Sequence, residues 1–280
     1  MQHTPNRARI LVGTAGWSLP RAAAGNFPEH GTHLERYSRV LPCAEINSSF
    51  YRPHARKVYE KWKAQTPKAF RFAVKLPQTI THENGLRGVK ALLTTFLEQI
   101  GGLGEKLGPI LIQLPASLPF EAPAARAFFD LLRKLHDGAV VCEPRHASWF
   151  EPRANALLTK HRVARVVADP SRIDAAHKPG GWEGPARKRT ADVVAYYRLH
   201  GSPRMYWSRY SAERIRQWSE ELLKLSAGGS VWCIFDNTAS GAAVENALEM
   251  TASLIGGRER EPRASTRRSH YIASVQQPDR

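Results

Sequence analysis

Short apolar runs that end in polar residues recur along the chain, and longer stretches with helical spacing lie between them. Continuous apolar runs of this length, bounded by Gly, Pro or charged residues, are typical of strands buried on both faces of a parallel sheet. The second run contains Glu45 and Asn47 and continues through Ser48 to Tyr51. The runs predict strands over residues 10–12, 44–47, 70–76, 109–114, 139–143, 164–168, 193–199 and 230–235.

Between these runs, apolar residues recur three and four positions apart, which places them on one face of a helix. This spacing predicts helices over residues 89–103, 122–135, 153–161, 211–226 and 242–254. Strands that alternate with helices favour an α/β fold with a parallel sheet. Eight units of this length favour a closed (β/α)8 TIM barrel over an open doubly wound sheet. The first strand also lacks the Gly-x-Gly-x-x-Gly turn of a dinucleotide-binding fold.

A chain of 280 residues fits a single domain of this architecture. We expect a flexible N-terminus over residues 1–9, one barrel domain over 10–256 and a disordered basic tail over 257–280, where the helical periodicity stops. Two connections inside the domain are irregular, 19–28 and 171–192. The second is rich in Gly, Pro and basic residues, so we interpret it as a candidate lid over the site.

Composition narrows the class of protein. The chain is 42% hydrophobic and 24% charged, which is typical of a folded protein. No apolar stretch is long enough to span a membrane, and the first residues lack the apolar core of a signal peptide. We therefore expect a cytoplasmic protein with no membrane partner. Cys43, Cys142 and Cys233 have no metal-binding spacing, and we expect them to be buried, reduced thiols.

The net charge is strongly positive. The 41 Lys and Arg residues exceed the 25 Asp and Glu residues and give a charge of +16. Residues 257–280 carry +3 and residues 1–9 carry +2, so the residues between them retain +11. A basic surface attracts polyanions such as nucleic acid or phosphorylated metabolites. The alternative is a general enrichment in arginine that has no specific partner.

Candidate chemistry lies where the predicted strands end. In (β/α)8 barrels the catalytic residues stand at the carboxyl ends of the strands and on the loops that follow. Here, polar residues occupy those positions on the second to the eighth strand, and we expect them to converge on one mouth. They are Glu45, Asn47, Lys75, Gln113, Glu143, Arg145, His146, Asp169, Arg198, His200, Asp236 and Asn237.

These side chains divide by what they could do in a site. The candidates for acid–base catalysis are Glu45, Glu143, Asp169, Asp236, His146 and His200. The candidates for holding an anionic substrate are Lys75, Arg145 and Arg198, with the amides of Asn47, Gln113 and Asn237. Aromatic side chains that could stack on a substrate ring are Trp17, Phe50, Tyr51, Trp149, Tyr206 and Trp207. The alternatives are that Lys75 and Arg198 form structural ion pairs and that the aromatic residues only pack.

The sequence assigns no metal ligand and no cofactor. A divalent metal is possible, because His200, Glu143, Asp169 and His146 are residue types that bind one. Arg145 and Lys75 at the same mouth argue against it, since their charges would repel the ion.

With these segments together, the chain resembles the DUF72 family, also called YecE-like, from Ile10 to about Ala252. The resemblance rests on seven stretches whose combination is specific. They are Gly13-Thr14-Ala15-Gly16-Trp17; Glu45-Ile46-Asn47-Ser48-Ser49-Phe50-Tyr51; Phe72-Ala73-Val74-Lys75-Leu76-Pro77 with Ile80-Thr81-His82; Leu107-Gly108-Pro109 with Gln113-Leu114-Pro115; Glu143-Pro144-Arg145-His146-Ala147-Ser148-Trp149; Tyr197-Arg198-Leu199-His200-Gly201; and Phe235-Asp236-Asn237-Thr238 with Gly241 and Asn246-Ala247.

The resemblance implies a TIM barrel and no particular reaction, because one fold supports many functions. Members of the family are likened to sugar isomerases and to endonuclease IV-type barrels. This chain departs from the family pattern at two places. Arg21 to Pro28 replace the usual Trp-x-Gly-x-Phe-Tyr-Pro, and Asp236 replaces a common Asn. The second change adds a carboxylate where the family has a neutral amide.

Three functions therefore remain open. The first is an isomerase or hydrolase acting on a small phosphorylated or sugar-like anion, with Glu45 or Glu143 as base and with Arg145 and Lys75 holding the anion. The second is a nucleic-acid enzyme or binding protein of the DNA-repair type, which would use the basic surface to contact phosphates. The third is a scaffold for protein interactions without catalysis. The oligomeric state is not predicted.

Overall fold

The structure is a computed structural model and describes residues 10–184 and 193–260. Across these residues, ten strands form one sheet. In chain order the strands are β1 (Ile10–Ala15), β2 (Cys43–Ile46), β3 (Arg71–Lys75), β4 (Leu107–Gln113), β5 (Val140–Glu143), β6 (Val163–Arg165), β7 (Val167–Asp169), β8 (Gly180–Gly181), β9 (Val193–Leu199) and β10 (Ser230–Phe235). Most are apolar segments that are buried on both faces, as the sequence predicts.

The sheet curls round on itself. Its strands follow the order β7-β9-β10-β1-β2-β3-β4-β5-β6-β8, and all neighbours are parallel except β6 and β8. β6 pairs with β5 and β7 pairs with β9, although only Val166 separates β6 from β7 in the chain. The Val166 amide donates to the Cys142 carbonyl at 2.8 Å. The parallel part of the sheet therefore begins with β7 and ends with β6, two strands that are nearly consecutive in sequence. The described chain forms a single mixed α/β domain.

Helices connect the parallel strands, as crossovers of this kind require. They are α1 (His33–Ser38), α2 (Ser48–Tyr51), α3 (Arg56–Ala64), α4 (Lys90–Ile100), α5 (Ala122–Leu135), α6 (Pro152–Lys160), α7 (Ala212–Ser226) and α8 (Ala242–Arg260). The local sequence explains where two of these helices begin. Thr32 and Glu35 form a capping box at the start of α1, and Ser211 caps α7. Short 3₁₀ or π turns cover Arg21–Asn26, Thr79–Glu83, Gly101–Lys106, Ala147–Phe150 and Asp174–His177.

Two hydrophobic clusters lie on opposite faces of the sheet, because alternate strand residues point to opposite sides. On the outer face, strand residues such as Val12 and Ile110 pack against helix residues such as Phe128 and Trp218. The inner face carries a cluster of buried residues from the strands or directly beside them. They are Leu11, Cys43, Ala73, Leu111, Val141, Ala164, Val166, Val193, Tyr196, Trp232 and Ile234.

The structure confirms several expectations about buried positions. The helix expected over 122–135 has those bounds, and its Phe128, Phe129 and Leu132 are buried. Cys43, Cys142 and Cys233 are buried and form no disulfide within the described residues, in agreement with the buried, reduced thiols expected.

Other boundaries differ from the prediction. The second strand ends at Ile46 and does not continue to Tyr51, because Asn47 takes helical dihedral angles and starts α2. The sixth strand is broken at Val166 into β6 and β7. The helix expected over 89–103 ends at Ile100 and gives way to a 3₁₀ turn.

The expected irregular and terminal segments are partly described. The candidate lid over 171–192 contains a 3₁₀ turn and the short strand β8, which pairs with β6. Its basic residues Arg187, Lys188 and Arg189 lie outside the described residues, as do 1–9 and 261–280. The helix expected over 242–254 continues through Gly256 to Arg260. The basic tail expected from residue 257 stays a prediction.

In the described part of the chain, no helix is long and apolar enough to cross a membrane. The cytoplasmic location inferred from the sequence stays a prediction.

Candidate active site

Six of the twelve sequence-predicted polar residues share one layer on the inner face of the sheet. Cys43, Ala73, Leu111, Val141, Tyr196 and Ile234 belong to the inner apolar cluster. Two residues further along the same strands, and therefore on the same face, stand Glu45, Lys75, Gln113, Glu143, Arg198 and Asp236. All six are buried. Because the strands are parallel, this layer lies at their carboxyl ends, above the apolar cluster.

Arg198 is the centre of this layer. Its guanidinium makes a bidentate contact with Glu45, with Nε to Oε2 at 3.0 Å and Nη2 to Oε1 at 2.7 Å. It also donates from Nη1 to Glu143 Oε2 at 2.6 Å and from Nη2 to Asp236 Oδ2 at 2.9 Å. Its side chain is only 1% exposed. One arginine thus joins carboxylates that follow or end β2, β5 and β10, so the expected structural ion pairing is confirmed for Arg198.

The network holds two of its carboxylates as anions. Burial opposes ionisation of Glu143, but the Arg198 guanidinium outweighs it and places the pKa of Glu143 well below its usual range. The same balance between burial and Arg198 lowers the pKa of Asp236. Glu45 is fully buried and accepts a further hydrogen bond from the Tyr196 hydroxyl at 2.7 Å. The use of Glu143 as a base is therefore disfavoured, because an anion this stable binds protons weakly.

His200 lies between two of these carboxylates. Its Nδ1 is 3.0 Å from Asp236 Oδ2, and its Nε2 is 3.4 Å from Glu143 Oε1. The second contact does not have hydrogen-bond geometry, so Nε2 is a buried atom that has no hydrogen-bond partner among residues 10–184 and 193–260. Burial favours the neutral ring, but Glu143 and Asp236 outweigh it and raise the pKa of His200. The ring is therefore protonated over a wider pH range than an ordinary histidine.

Arg145 faces the outer side of the same network. Its Nε donates to Glu143 Oε1 at 3.1 Å, and its Nη2 donates to the Tyr206 hydroxyl at 3.3 Å. Its side chain is 33% exposed, which makes it far more accessible than Arg198. Tyr206 lies on the loop after β9 and also packs edge-on against His200, with 5.5 Å between the ring centroids.

Lys75 ends β3 and lies in the same layer. Its Nζ is 3.9 Å from the centre of the Phe50 ring, and burial followed by the charge of Arg198 lowers its pKa to about 8. His82 packs edge-on against Phe50 at 5.0 Å. Burial and then the charges of Lys75 and Arg145 lower the pKa of His82, so His82 lies within electrostatic range of both cations.

Four predicted site residues make structural contacts elsewhere. Asp169 accepts a hydrogen bond from the Tyr210 hydroxyl at 2.8 Å and is outside the Arg198 network. His146 caps the turn at Ala147–Phe150 by accepting from the Ser148 amide. The Trp149 indole is buried and donates to the Leu118 carbonyl. Trp17 packs edge-on against Trp62 and Phe72 on the outer face.

The remaining predicted residues lie in the layer or beside it. Gln113, which belongs to the layer, is buried at the end of β4, in register with Glu143 on β5. Asn237 donates from Nδ2 to the Ser208 carbonyl at 2.9 Å and so holds the loop after β9. The side-chain oxygens of Asn47 and Asn237 are both buried and have no hydrogen-bond partner in the described part of the chain. Tyr51 is 73% exposed beside Phe50.

Sequence reasoning missed Tyr196 and gave His82 no role. Tyr196 carried a signal, because it lies two residues before Arg198 and therefore on the same face of β9. His82 had none, because it follows β3 by seven residues and reaches the site only through the π turn at Thr79–Glu83.

The possible divalent metal finds no support in the arrangement of donors. Among residues 10–184 and 193–260, no group of three or more His, Cys, Asp or Glu side chains is placed to hold an ion. Glu45, Glu143 and Asp236 direct oxygens at the Arg198 guanidinium, which takes the position that a shared cation would need. The residues present therefore do not fit a metal centre built on these carboxylates.

Comparison with known sequences identifies relatives over most of the chain. Residues 11–269 match a family model described as "Protein of unknown function DUF72". UPF0759 protein YecE of Escherichia coli strain K12 is 34% identical over 173 residues, which is 60% of this chain and 61% of YecE. The matched part thus spans about three fifths of that relative. UPF0759 protein YunF of Bacillus subtilis strain 168 is 24% identical, over 86% of this chain and 93% of YunF.

Solved structures show the same fold. A DUF72 family protein from Thermotoga maritima MSB8 has a TM-score of 0.70 and 27% identity, and covers 88% of this chain and 99% of its own. A DUF72 family protein from Enterococcus faecalis V583 has a TM-score of 0.70 and 23% identity, over 88% of this chain and 95% of its own. With the family model matching nearly the whole chain, these likenesses lead to one conclusion: the chain belongs to the DUF72 family.

Proposed function

We propose that this protein is an enzyme that binds a small phosphorylated or sugar-like anion at the carboxyl ends of its strands and moves a proton on it. One observation carries the proposal. With His200 protonated, the described layer contains four cations, Arg198, Arg145, Lys75 and His200, against the three carboxylates Glu45, Glu143 and Asp236. A buried site with an excess of positive charge attracts an anion.

The positions of the cations indicate which of them meets the substrate. Arg198 is buried and its donors are used by Glu45, Glu143 and Asp236, so it organises the layer from below. Arg145 is partly exposed and can present guanidinium N–H groups to a phosphate or carboxylate. We assign Arg145 as the anion-binding residue and Arg198 as a positioning residue.

We assign proton transfer to a group other than Glu143, which is one of the two bases that the sequence suggested. A base works best when its pKa is near the working pH, and Glu143 is held far below that range. Lys75 has a pKa of about 8 and stands in the same layer. Proton abstraction beside a carbonyl by Lys75, with nearby cations stabilising the oxyanion, favours isomerase-type over hydrolase-type chemistry.

We further infer that the curled sheet is a closed (β/α)8 barrel. The support is that the two halves of one segment, 163–169, pair with different parallel strands, β6 with β5 and β7 with β9. Counting β6 and β7 as one broken strand and setting aside the two-residue β8 leaves eight parallel strands in the described residues. A closed sheet would surround the polar layer and exclude water from it.

Binding and exchange measurements test the proposed function. We expect sugar phosphates and hydroxy-carboxylates, but not neutral sugars, to raise the melting temperature of the protein. Arg145→Gln should remove most of this shift, whereas Arg87→Gln, which breaks an exposed pair with Glu121, should not. A bound carbonyl compound should exchange its adjacent C–H with deuterium from D₂O, detected by NMR. Equal shifts for charged and neutral compounds would contradict the proposal.

A second candidate is binding of single-stranded nucleic acid. Trp207 is 47% exposed on the loop after β9, and the Arg204 guanidinium lies 4.7 Å from its ring centre. Exposed aromatic rings beside arginine stack on bases while the cation contacts phosphate. This function requires binding to an oligonucleotide that weakens steeply with salt and is reduced in Trp207→Ala. No binding at low salt would exclude it.

A further inference from the structure

Two lysines of the described chain are buried, and they differ in how their ammonium groups are satisfied. Lys106 Nζ donates to the Lys63 carbonyl at 2.6 Å and to the Thr66 carbonyl and hydroxyl at 2.5 and 3.0 Å. Its role is structural, because all three donors are used at the end of the helix that contains Lys63. Lys75 is equally buried, at 7% exposure compared with 5% for Lys106.

Lys75 has no such partners. Within residues 10–184 and 193–260, its Nζ makes no hydrogen bond and no ion pair within 4.0 Å, and its close contact is the face of Phe50. Burying an ammonium without hydrogen bonds costs free energy, and a ring face offsets only part of that cost. A purely structural position would be served better by an apolar side chain. The cost is consistent with a functional amine.

The surroundings of Lys75 are those of a reactive amine. Burial and the neighbouring Arg198 lower its pKa to about 8, so about a tenth of it is the neutral, nucleophilic amine at pH 7. Lys75 and Arg145 both lie within electrostatic range of Glu143 and of His82. We expect a carbonyl compound held by Arg145 through its anionic group to present its carbonyl carbon to Lys75.

We propose that the Lys75 side chain forms an imine with the aldehyde or ketone carbonyl of an anionic substrate bound by Arg145. The inference rests on the proposed function and replaces direct proton abstraction by Lys75 with covalent activation of the same C–H bond. The Nζ lone pair attacks the carbonyl carbon, and the C=O π electrons move to oxygen to give a carbinolamine. The carbinolamine oxygen and both hydrogens of the original Lys75 amine then leave as one water molecule, and a C=N double bond remains. Protonation of the imine nitrogen then makes the adjacent C–H more acidic.

Reductive trapping tests this step on the full chain. The protein is incubated separately with pyruvate and with dihydroxyacetone phosphate, reduced with sodium borohydride and analysed by intact mass and peptide mapping. Borohydride converts the imine into a stable secondary amine. We expect one adduct per chain, on Lys75 and not on Lys106. Lys75→Arg, which keeps the charge and cannot form an imine, should lose at least nine tenths of the adduct while keeping a wild-type circular dichroism spectrum.

The pH dependence gives a second readout on the unmodified protein. For an amine with a pKa of about 8, the neutral fraction rises about 50-fold between pH 6 and pH 8 and then levels off. The neutral fraction of a surface lysine would instead continue to rise about tenfold per pH unit up to pH 10. A yield of trapped adduct that keeps rising in this way up to pH 10 would overturn the inference. Adducts spread over many lysines would also overturn it.

The same samples separate the two proposals. Thermal shifts that show binding of either probe without any Lys75 adduct would overturn imine formation and leave the anion-binding function standing. Absence of both binding and adduct would count against both proposals. An adduct on Lys75 that persists in Arg145→Gln would support the imine and contradict the role given to Arg145.

Discussion

At the scale of single residues, Arg198 and Lys75 show how position decides the role of a buried cation. Both stand on the inner face, one at the end of β3 and one near the end of β9, and both are at most 7% exposed. Arg198 has carboxylates on several sides, whereas Lys75 rests on the Phe50 ring. The first is fixed as a cation by its partners, and the second can change its charge near neutral pH.

The first prediction concerns the loss of the central cation. Arg198→Met leaves Glu45, Glu143 and Asp236 buried without their shared partner, and we expect it to lower the free energy of unfolding by about 3–5 kcal/mol or to prevent folding. Urea unfolding measures the change. The control is Arg56→Met, which breaks an exposed pair with Glu60 and should cost less than about 1 kcal/mol. Similar costs for the two variants would contradict a buried network.

The second prediction concerns Asp236, which contacts both Arg198 and His200. Asp236→Asn removes a negative charge that contacts His200 Nδ1, so we expect the pKa of His200 to fall. NMR titration of the ring protons measures it, with the signal assigned from its absence in His200→Gln. The pKa of His54, which burial lowers, should not move. An unchanged His200 pKa would mean that Glu143 alone sets it.

At the scale of elements, the loop after β9 carries the side chains that cover the site. Gly201 begins it with φ at +95°, a conformation that L residues other than glycine rarely adopt. Asn237 and Asn246 then hold it, through the Ser208 carbonyl and the Tyr210 amide. This framework places Tyr206 against His200, so the geometry of the site depends on a loop whose shape is set by backbone contacts.

The third prediction follows from that framework. A Cβ at Gly201 would approach the Ser208 carbonyl oxygen to 2.7 Å and the Asn237 Cβ to 2.9 Å. We therefore expect Gly201→Ala to lower the free energy of unfolding by about 1–3 kcal/mol and to displace Tyr206, weakening anion binding. Calorimetry and ligand titration measure the two effects. Gly25→Ala is the control, because its Cβ would meet no atom within 4 Å. Unchanged binding in Gly201→Ala would contradict the role of the loop.

At the scale of the whole molecule, the ion network joins parts of the chain that are far apart in sequence. Glu45 lies in β2, Glu143 in β5, Arg198 in β9 and Asp236 directly after β10. Because these strands occupy different positions in the sheet, the network ties together most of its inner face. Its protonation therefore affects global stability and not only the site.

The fourth prediction is the pH dependence of that stability. The folded pKa of Glu143 lies below its unfolded value, so its contribution is present above about pH 4.5 and is lost as the pH falls towards the folded value. The pKa of His200 is raised, so its contribution is present below about pH 6.5 and is lost as the pH rises through the folded value. We expect the free energy of unfolding to fall steeply below pH 4.5.

Urea unfolding between pH 3 and pH 8 measures this dependence. Glu143→Gln should have a shallower acid slope than the wild type, whatever its overall loss of stability. Glu105→Gln removes an exposed partner of Lys63 and should change the slope little. Equal slopes in the wild type and in Glu143→Gln would show that other carboxyl groups dominate acid unfolding.

How far the sequence predicts the site depends on the range of the contacts involved. The strands β9 and β10 and the helix α5 could be located from apolar spacing alone, because that pattern is local. The polar layer could be predicted as well, because side chains alternate along a strand and parallel strands end at the same edge. The break at Val166 and the turn at Asn47 could not, because they depend on pairing with distant strands.

By itself, the sequence determined the α/β class, the buried strands and the group of polar residues that end on one face. Only the tertiary structure decided what each of them does. In the structure, Arg198 lies among three carboxylates, whereas the Lys75 ammonium has no ion pair with any described residue. His146 and Trp149 make structural hydrogen bonds instead of facing the site. The reason is physical: periodicity fixes the face on which a side chain lies, whereas its charge state depends on groups that folding brings within a few ångströms.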